Sequence, residues 1–447
     1  MKDRKVVVIG LDCASPKLVF EMWKNKLPNI SKLIDNGMWG PLRSCTPPIT
    51  VPAWMCMVTG KDPGELGIYG FRERDGNSYT KSTITNSSYV KEKTVWDILG
   101  ERGKKSIVLG VPPTYPPKKI NGILISDFLT PSTKHIYTYP KAIAQEIKKV
   151  VGNYLLDTKF RMEDRVNLSK EIRLMTEKRF ELAKYLLQKK PWDFFMMVEI
   201  GVDRMQHAYW KYFDKHHLKY KKGNPYENVL FNYYQFIDKK IGELLKIVPR
   251  DTIVFIVSDH GAKKMEGAYC INEWLIDKGY LTLKKYPKKT LPLEEVDVDW
   301  SKTKAWAWGG YYGRVFLNLK GRDPQGIIPK KQFNKEREIL IKKLERVTDE
   351  KGNKLKNIIK TPEELYKKTN GNPADIFAIF GDLSWRCAGT IGHKTKWIFD
   401  NDTGPDDAVH DWDGIYIHYD PQYSKRKLVK DKTIYDVLKI LNSQYEK

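Results

Sequence analysis

Continuous apolar runs, most of them rich in β-branched residues, recur along the chain and end on an acid or a glycine. The clearest run covers residues 252–258 and stops on Asp259, His260 and Gly261. A run of this length and composition is typical of a strand that is buried on both faces of a parallel sheet. Runs of the same kind predict further strands at residues 5–10, 106–110, 122–126, 193–200 and 414–419.

Segments with helical spacing of their apolar residues lie between these predicted strands. They cover residues 19–33, 53–58, 166–187, 228–245, 330–344 and 435–441. Pro52 fits the first turn of the second of these helices, and Gly37 fits the end of the first. Strands that alternate with helices predict an α/β fold built on a mostly parallel central sheet.

The pattern changes between residues 280 and 380. A lysine-rich and an acidic stretch precede the segment AWAWGGYYGRVF, which is typical of a β-hairpin. We therefore expect residues 1–279 and 381–447 to form the core of the protein, and residues 280–380 to form an inserted α+β cap. The aromatic residues of the hairpin are expected to pack on a β face, with stacking on a nucleobase as the alternative. They are Trp306, Trp308, Tyr311 and Tyr312.

The composition is that of a soluble globular protein, with 41% hydrophobic and 30% charged residues in a chain of 447. No apolar stretch reaches the roughly 18 residues that a membrane helix needs, and the first apolar run is too short for a signal peptide. The five cysteines are scattered, without the spacing of a thiolate zinc site or a disulfide framework. These features argue against a membrane-spanning protein and predict a cytoplasmic one.

The formal net charge of +23 makes the chain strongly basic. Such a charge is compatible with an anionic partner, and nucleic acid is one alternative. The lysines are nevertheless distributed in short pairs rather than in one block, which favours a solvated surface. The charge therefore gives only weak support to polyanionic substrates.

Metal-ligand residue types follow three of the predicted strands: Asp12, the pair Asp203 and His207, and the pair Asp259 and His260. Asp203 and His207 are four positions apart and so share one face of a helix. Each motif alone is also explained without a metal, as a helix cap, a surface pair or a strand-ending turn. Because ligands bind beyond the carboxyl ends of parallel strands, the motifs together favour a divalent-metal site at that edge.

Thr50 stands shortly before the predicted helix at residues 53–58 and has two interpretations. A threonine before a proline-containing first turn is by default a helix N-cap. A hydroxyl at a helix N-terminus also faces unpaired N–H groups and the positive end of the helix dipole. That environment binds phosphate and favours an alkoxide, which is the functional interpretation.

Five sequence blocks together resemble the alkaline phosphatase superfamily and, within it, the type I phosphodiesterase/nucleotide pyrophosphatase family. The blocks are VVVIGLD, PPITVPAW with VTGKDPG, GVDRMQH, IVSDHG and NDTGPDDAVHDWDG. They are spread over most of the chain outside residues 280–380. The resemblance implies a three-layer α/β sandwich that hydrolyses a small-molecule phosphate ester, in particular a phosphodiester or a nucleotide pyrophosphate.

The resemblance also implies two divalent metal ions. Histidine and carboxylate ligands without thiolate suit Zn²⁺, with Mn²⁺ as the alternative. One ion would be held by Asp203, His207 and His410, and the other by Asp12, Asp259, His260 and the Thr50 hydroxyl. Thr50 would be the nucleophile and would form a phospho-threonine intermediate. Arg386 and His393 lie near the last block and are candidates for substrate contact.

Other functions stay open as alternatives. On the same fold they are phosphomonoesterase, phosphomutase and sulfatase activity. Cys45, Thr46 and Pro47 begin like a sulfatase motif, but Ile49 stands where that motif needs an arginine. A basic nucleic-acid-binding protein without catalysis would explain the charge but not the set of metal-ligand residues.

Overall fold

The computed structural model describes residues 4–423 and 425–446. Its strands are β1 (Val6–Leu11), β2 (Met38–Arg43), β3 (Arg72–Arg74), β4 (Ser82–Ile84), β5 (Ser106–Leu109), β6 (Gly122–Ile125), β7 (Thr138–Tyr139), β8 (Phe194–Glu199), β9 (Ile253–Val257), β10 (Gly261–Lys264), β11 (Gly267–Cys270), β12 (Ala305–Trp308), β13 (Gly313–Leu317), β14 (Ile358–Lys360), β15 (Ile376–Ile379), β16 (Trp385–Ala388), β17 (Trp397–Ile398), β18 (Ala408–Asp411), β19 (Asp413–Tyr419), β20 (Lys427–Leu428) and β21 (Lys432–Thr433). Its α-helices are α1 (Pro28–Asp35), α2 (Thr50–Thr59), α3 (Pro63–Leu66), α4 (Val95–Glu101), α5 (Ile143–Val151), α6 (Arg165–Lys189), α7 (Gly201–Phe213), α8 (Val229–Leu245), α9 (Ile271–Asp277), α10 (Phe333–Leu344), α11 (Pro362–Leu365) and α12 (Ile434–Ser443).

The largest sheet has the strand order β20-β2-β19-β9-β1-β8-β5-β6-β7, with β21 also paired to β2. The central strands β9, β1, β8, β5 and β6 run parallel to one another. β19 is antiparallel to both β9 and β2, and β7 is antiparallel to β6. The structure confirms the predicted α/β fold with a mostly parallel central sheet.

Apolar residues on both faces of the central strands explain why helices cover the sheet on two sides. Val7, Ile9 and Leu11 enter one apolar core, which packs against α1, α5, α6, α7 and α8. Val6 and Val8 point the opposite way, into a core that packs against α2, α4 and α12. Successive side chains of a strand alternate between faces, so a continuous apolar run requires a layer on each side. The result is the three-layer sandwich.

The prediction of one helix at residues 19–33 is wrong. That part of the chain forms a π-helical turn at Lys17–Met22, a 3₁₀ turn at Lys24–Lys26 and then α1. α1 begins on Pro28. A proline lacks the backbone N–H of a helix interior and its ring clashes with the preceding turn, so a continuous helix cannot pass through this position.

A separate apolar core lies beside the four-stranded sheet of β12, β13, β15 and β14. All four strands come from residues 280–380, and β12 and β13 form the expected antiparallel hairpin. Trp306 is fully buried in this core, in agreement with its predicted packing role. The core also takes in side chains from outside that range, among them Tyr69, Trp274 and Trp385. The division of the chain at residues 280 and 380 therefore stays a proposal.

Within residues 4–423 and 425–446, no helix is both long and apolar enough to cross a bilayer. All five cysteines are buried and free, as their scattered spacing predicts. Disulfides therefore add nothing to the fold, which is held by the packing of its apolar cores.

Candidate active site

Three neighbouring parallel strands bring the predicted ligand residues to one edge of the central sheet. β1 lies between β8 and β9. Asp12 directly follows β1, and Asp259 and His260 follow β9. α7 begins just after β8 and carries Asp203 in its first turn. Because the carboxyl ends of parallel strands open on the same edge, these side chains converge.

We call Cys13, Asp203, His207 and His410 the first ligand group, because their candidate ligand atoms all lie within 4.8 Å of one another. Asp203 and His207 are one turn apart on α7, and Asp203 Oδ1 lies 3.2 Å from His207 Nε2. His410 is delivered by β18, which pairs with β10, and its Nε2 lies 3.8 Å from Asp203 Oδ1. The structure thus assembles the three residues proposed for one metal and adds Cys13.

The second ligand group consists of Asp12, Asp259 and His260, whose ligand atoms also lie within 4.8 Å of one another. His260 Nε2 is 3.0 Å from Asp259 Oδ2 and 3.9 Å from Asp12 Oδ1. Thr50 Oγ1 lies 3.2 Å from the same nitrogen. The rings of His260 and His410 stack with their centroids 3.7 Å apart, so the two ligand groups share a wall.

Two histidines of the first ligand group are oriented by contacts outside it. His207 Nδ1 lies 2.7 Å from Asp406 Oδ1. His410 Nδ1 donates to the carbonyl oxygen of Pro48 at 2.7 Å. With Nδ1 engaged, the Nε2 atom of each ring is left facing Asp203. Outer partners of this kind hold metal-ligating histidines in the required tautomer and orientation.

Each aspartate of the two groups has one buried oxygen that accepts no hydrogen bond: Asp12 Oδ1, Asp203 Oδ1 and Asp259 Oδ2. The second oxygen of Asp12 accepts from Trp54 Nε1 at 2.7 Å, and that of Asp203 accepts from Arg204 at 2.7 Å. A buried anionic oxygen without a partner is costly, and three of them converge here. Carboxylate oxygens without hydrogen-bond partners, gathered beside imidazole nitrogens, fit divalent cations.

The pKa shifts within the two ligand groups also favour bound cations. Burial raises the pKa of Asp12 well above its usual range, and the nearby charges of Asp259 and Asp203 raise it further. Burial and then the neighbouring positive charges of His260 and His207 lower the pKa of His410. In the second ligand group the carboxylates repel one another, and in the first ligand group the imidazoles do so when they are protonated. Cations bound between them would relieve the repulsion of the carboxylates and keep His410 neutral.

Thr50 does not act as the helix cap that its sequence position suggests. It is the first residue of α2, the N-cap position belongs to Ile49, and no side chain caps this helix. Thr50 is only 2% exposed and its hydroxyl faces the second ligand group. The unpaired N–H groups and the positive dipole end of α2 lie at the same point. The hydroxyl is therefore free of a structural role and stands beside the candidate metal ligands.

A cleft of about 480 Å³ opens onto the first ligand group and onto Thr50, whose hydroxyl faces the second. Thr50, Asp203 and His410 form its floor, and its walls carry aromatic rings and guanidinium groups from Phe71, Phe128, Phe160, Tyr311, Arg72, Arg161, Arg204, Arg314 and Arg386. The ring of Tyr311 stacks on that of His410 with the centroids 3.9 Å apart. Its hydroxyl lies 3.2 Å from His207 Nε2. The cleft therefore offers both apolar surface and positive charge to a ligand.

The sequence did not predict Cys13 as a member of the first ligand group, nor the contacts of Tyr311 and Asp406 with His207. Cys13 directly follows Asp12, and this thiol next to an acid at the end of a strand was the sequence feature that could have indicated a further ligand. Tyr311 was expected to pack on a β face, and that expectation is wrong because the hairpin loop reaches the site. Asp406 precedes His410 by four residues in the last block, but nothing local links it to His207.

Only one of the two residues considered for substrate contact lines the cleft. That residue is Arg386. His393 lies outside both ligand groups, and its Nε2 is 2.7 Å from Thr390 Oγ1. Of the two candidates, the geometry favours Arg386.

Comparison with solved structures gives the same fold at low sequence identity. Human ectonucleotide pyrophosphatase/phosphodiesterase 5 is 14% identical, with a TM-score of 0.58 over 99% of this chain and 95% of that chain. Phosphonoacetate hydrolase from Sinorhizobium meliloti 1021, solved with phosphonoformate, is also 14% identical, with a TM-score of 0.65 over 99% and 96% of the two chains. A search of curated protein sequences found no significant match.

The family model for type I phosphodiesterase/nucleotide pyrophosphatase matches residues 6–413, which include every residue of the two ligand groups and Thr50. The match therefore spans the parallel strands of the central sheet, the candidate cap and the block that supplies His410. Its extent agrees with the acid and histidine groups that the fold assembles. The chain therefore belongs to the type I phosphodiesterase/nucleotide pyrophosphatase family and is a metal-dependent phosphoester hydrolase.

Proposed function

We propose that the protein hydrolyses phosphodiesters or nucleotide pyrophosphates, with Thr50 as the nucleophile and two divalent cations, preferably Zn²⁺. Asp203, His207 and His410 would hold one ion, and Asp12, Asp259, His260 and Thr50 the other. A murine relative was solved in complex with AMP, which supports a nucleotide or a similar phosphate ester as the substrate. Cations at these positions supply charge neutralisation for phosphoryl oxygens and lower the pKa of a coordinated hydroxyl.

The placement of Thr50 is the observation that carries the proposal. Its hydroxyl is buried, does not cap α2 and lies 3.2 Å from His260 Nε2 at the floor of the cleft. In the first step Thr50 Oγ1 forms a bond to phosphorus, and the leaving group departs with the electron pair of the bond that breaks. The hydroxyl proton passes to water, from which the leaving group can be protonated. Water then cleaves the phospho-threonine and restores the hydroxyl. The N-terminus of α2 favours negative charge on the phosphoryl oxygens in both steps.

Of the alternatives on the same fold, a sulfatase has less support from the geometry. A sulfatase nucleophile at Cys45 would have to face the ligand groups. Cys45 Sγ instead donates to the carbonyl oxygen of Pro47 at 3.1 Å, and Cys45 belongs to neither group. Phosphomonoesterase and phosphomutase activities would use the same floor, and substrate comparison separates them from diester hydrolysis.

Substitution of Thr50 tests the proposal against a panel of diesters, pyrophosphates, monoesters and sulfate esters. Thr50→Ala should fold and bind metal but lose at least about a hundredfold in kcat, because the attacking group is gone. Thr50→Ser should retain part of the activity, since a hydroxyl survives. Thr59→Ala is the matched control: Thr59 is a buried threonine at the other end of α2, and its hydroxyl donates to Met55 O.

Two results would count against the proposal. If Thr50→Ala cleaves every ester at the wild-type rate, the nucleophile lies elsewhere. If the wild-type protein cleaves only monoesters or sulfate esters, the diester assignment is wrong. In that case the same Thr50 variants, assayed on the ester that is cleaved, still test whether Thr50 is the nucleophile.

A further inference from the structure

Three arginines form the junction between the cleft above the ligand groups and a second cavity. The second cavity has a volume of about 400 Å³ and extends away from the site past Trp308 and Leu293. The side chains shared by both cavities are those of Arg72, Arg314 and Arg386, together with the backbone of Gly309 and Gly310. We call these three side chains the arginine junction.

Arg386 is buried with unused hydrogen-bond donors. It is 5% exposed, and its Nε and Nη1 atoms have no hydrogen-bond partner. Asp402 lies 3.7 Å from Nε and Asp406 lies 3.8 Å from Nη1, so the charge is partly balanced although neither N–H is satisfied. Buried guanidinium donors without an acceptor point to a ligand that supplies one.

The other two arginines add positive charge to the junction, and the buried Glu73 carboxylate is close enough to Arg314 to interact with its charge. Arg314 Nη1 donates to the carbonyl oxygen of Arg72, and the Arg314 guanidinium lies 5.1 Å from the centre of the Trp308 ring. Neither Arg314 nor Arg72 forms an ion pair with any carboxylate among residues 4–423 and 425–446. Arg72 is exposed and Arg314 half-buried, so an anion can reach both from the cleft.

The junction is one aromatic layer away from the first ligand group. The Arg386 guanidinium lies 4.8 Å from the centre of the Tyr311 ring, and Tyr311 stacks on His410 at 3.9 Å. We propose that the arginine junction binds a second anionic group of the substrate, a carboxylate or a phosphate on the part of the molecule that is remote from the scissile phosphorus. This inference rests on the proposed function, and it restricts the substrate to esters with a negatively charged tail.

A pair of non-hydrolysable ligands tests the inference by calorimetry on the metal-loaded protein. Phosphonopropionate and propylphosphonate differ in a terminal carboxylate, and both carry the phosphonate that would occupy the catalytic end. The wild-type protein should bind phosphonopropionate about tenfold or more tightly than propylphosphonate, because charge-assisted hydrogen bonds to guanidinium are strong. Arg314→Met and Arg72→Met should each remove most of that preference and leave the affinity for propylphosphonate within about twofold.

Arg337→Met is the control, because Arg337 lines neither cavity and pairs instead with the exposed Glu363. Equal affinity of the wild-type protein for the two ligands would overturn the inference. An unchanged preference in both Arg314→Met and Arg72→Met would also overturn it. The proposed function is tested separately, because it would be contradicted by an absence of ester hydrolysis. The comparison of affinities needs no turnover, so the two failures can be told apart.

Cys13 carries a second and independent inference. Its backbone has a φ of 67°, a left-handed conformation that residues with a side chain rarely adopt. Its Sγ atom lies within 4.8 Å of the ligand atoms of Asp203, His207 and His410. Asp203 Oδ1, buried and without a hydrogen-bond partner, is aimed into the same group. One sulfur, one oxygen and two nitrogen donors make a four-ligand set.

We infer that the Cys13 thiolate is a ligand of the ion held by the first ligand group, and that the S–H proton is released to solvent when the ion binds. A thiolate ligand favours Zn²⁺ or Co²⁺ over Mn²⁺ at this position. The other ligand group contains only oxygen and nitrogen donors, so the two positions would differ in metal preference. This assignment adds a residue to the ligand set that the family resemblance implies.

Titration of the metal-free protein with Co²⁺ tests the assignment without an activity assay. The wild-type protein and Cys270→Ser should develop a thiolate-to-cobalt charge-transfer band in the near ultraviolet, and Cys13→Ser should not. Cys13→Ser should also bind Zn²⁺ at least about tenfold more weakly. Cys13→Gly is the second variant, because glycine adopts the left-handed conformation without strain. Bound cobalt without the band in the wild-type protein, a band that persists in both Cys13 variants, or no cobalt binding would overturn the assignment.

Discussion

At the scale of single residues, the site depends on side chains that never reach the metal positions themselves. Asp406 is the clearest case: it is buried, its Oδ1 lies 2.7 Å from His207 Nδ1, and Arg161 donates to its other oxygen at 3.0 Å. The carboxylate fixes the ring of His207 and supplies negative charge behind it. Residues in this position tune the affinity of a metal site without contacting the ion.

Asp406→Asn should therefore weaken metal binding about tenfold to a hundredfold, because the amide no longer supplies the charge that orients and polarises His207. The affinity is measured by competition with a chelator. Asp407→Asn is the matched control, since Asp407 is an equally buried neighbour that faces Lys211 and Arg165 instead of a ligand histidine. Equal metal affinity in the wild-type protein and in Asp406→Asn would show that Asp406 has no part in binding.

His418 makes a prediction about pH dependence at a residue far from the site. It lies in β19, its ring stacks on Phe255 at 4.2 Å, and neither ring nitrogen has a hydrogen-bond partner. Burial lowers the pKa of His418 from 6.5 to about 4. The unfolded chain therefore binds the proton more readily than the folded protein between these two values. The stability that neutral His418 gives is complete above pH 6.5 and is lost as the pH falls towards 4.

His418→Phe should remove that loss, which amounts to about 3 kcal/mol across the window. The free energies of unfolding of the wild-type protein and the variant should diverge as the pH is lowered from 6.5 to 4, with the variant less affected. Denaturant unfolding at a series of pH values measures the difference. Parallel pH profiles for the two proteins would contradict a buried neutral histidine.

Most members of the two ligand groups could be predicted from sequence because they stand shortly after a strand. Asp12, Asp259 and His260 follow continuous apolar runs, and Asp203 and His207 have the spacing of one helix turn. His410 has no such local mark, and the family resemblance supplied it. Tyr311 could not be assigned, because its contact with His410 joins the tip of a hairpin to a strand about a hundred residues further along the chain.

At the scale of elements, strand β1 and helix α2 are locked together at Gly10. A Cβ atom on Gly10 would lie 2.5 Å from the ring of Trp54 and 3.0 Å from the carbonyl oxygen of Met197. Trp54 is fully buried, and its Nε1 donates to Asp12 Oδ2. The close approach of strand and helix thus sets the position of one candidate metal ligand.

Gly10→Ala should lower the free energy of unfolding by about 1–3 kcal/mol, because the buried indole and the backbone have no room to retreat. It should also weaken metal binding, since a displaced Trp54 no longer holds Asp12. Thermal unfolding and chelator competition measure the two effects. The control is Gly100→Ala on helix α4, where an added Cβ would lie 3.3 Å from Asn121 Cβ. This variant should change neither the stability nor the metal affinity by much. A variant as stable as the wild-type protein would contradict the packing argument.

Elements with continuous apolar runs were predictable, and elements broken by local chemistry were not. The runs at residues 5–10, 193–200 and 252–258 became β1, β8 and β9 within one or two residues. The helix predicted at residues 19–33 was wrong because Pro28 interrupts it and begins a new helix. The order of the strands in the sheet could not be predicted from the sequence either, because the neighbours β9, β1 and β8 are far apart along the chain.

At the scale of the whole molecule, residues 280–380, the proposed insertion, contribute side chains to the candidate site. The hairpin of this insertion delivers Tyr311 to the first ligand group, and Arg314 of the same hairpin lines the cleft. Its apolar core includes Tyr69 and Trp385 from outside residues 280–380. Removing the insertion would expose these aromatic residues, so point substitutions in the hairpin are the better way to alter substrate choice.

The net charge of +23 predicts a dependence of catalysis on salt. A positive molecule with arginines around its cleft attracts anionic esters, and salt screens that attraction. We expect kcat/KM for anionic esters to fall by about threefold to tenfold from low to physiological ionic strength, while kcat changes little. Steady-state kinetics over a salt series measures this, with the less charged junction of Arg314→Met as the comparison. A salt-independent kcat/KM in the wild-type protein would show that the charge plays no part in substrate capture.

The central claim is that Thr50 attacks phosphorus and carries the phosphoryl group, and rapid acid quenching tests it most directly. The metal-loaded protein is mixed with a cleaved ester, stopped within the first turnover and digested for mass spectrometry. The account predicts a phosphorylated peptide with the modification on Thr50, which is absent from Thr50→Ala. An unmodified Thr50 in samples that have released the leaving group, or a phosphoryl group on another residue, would contradict it.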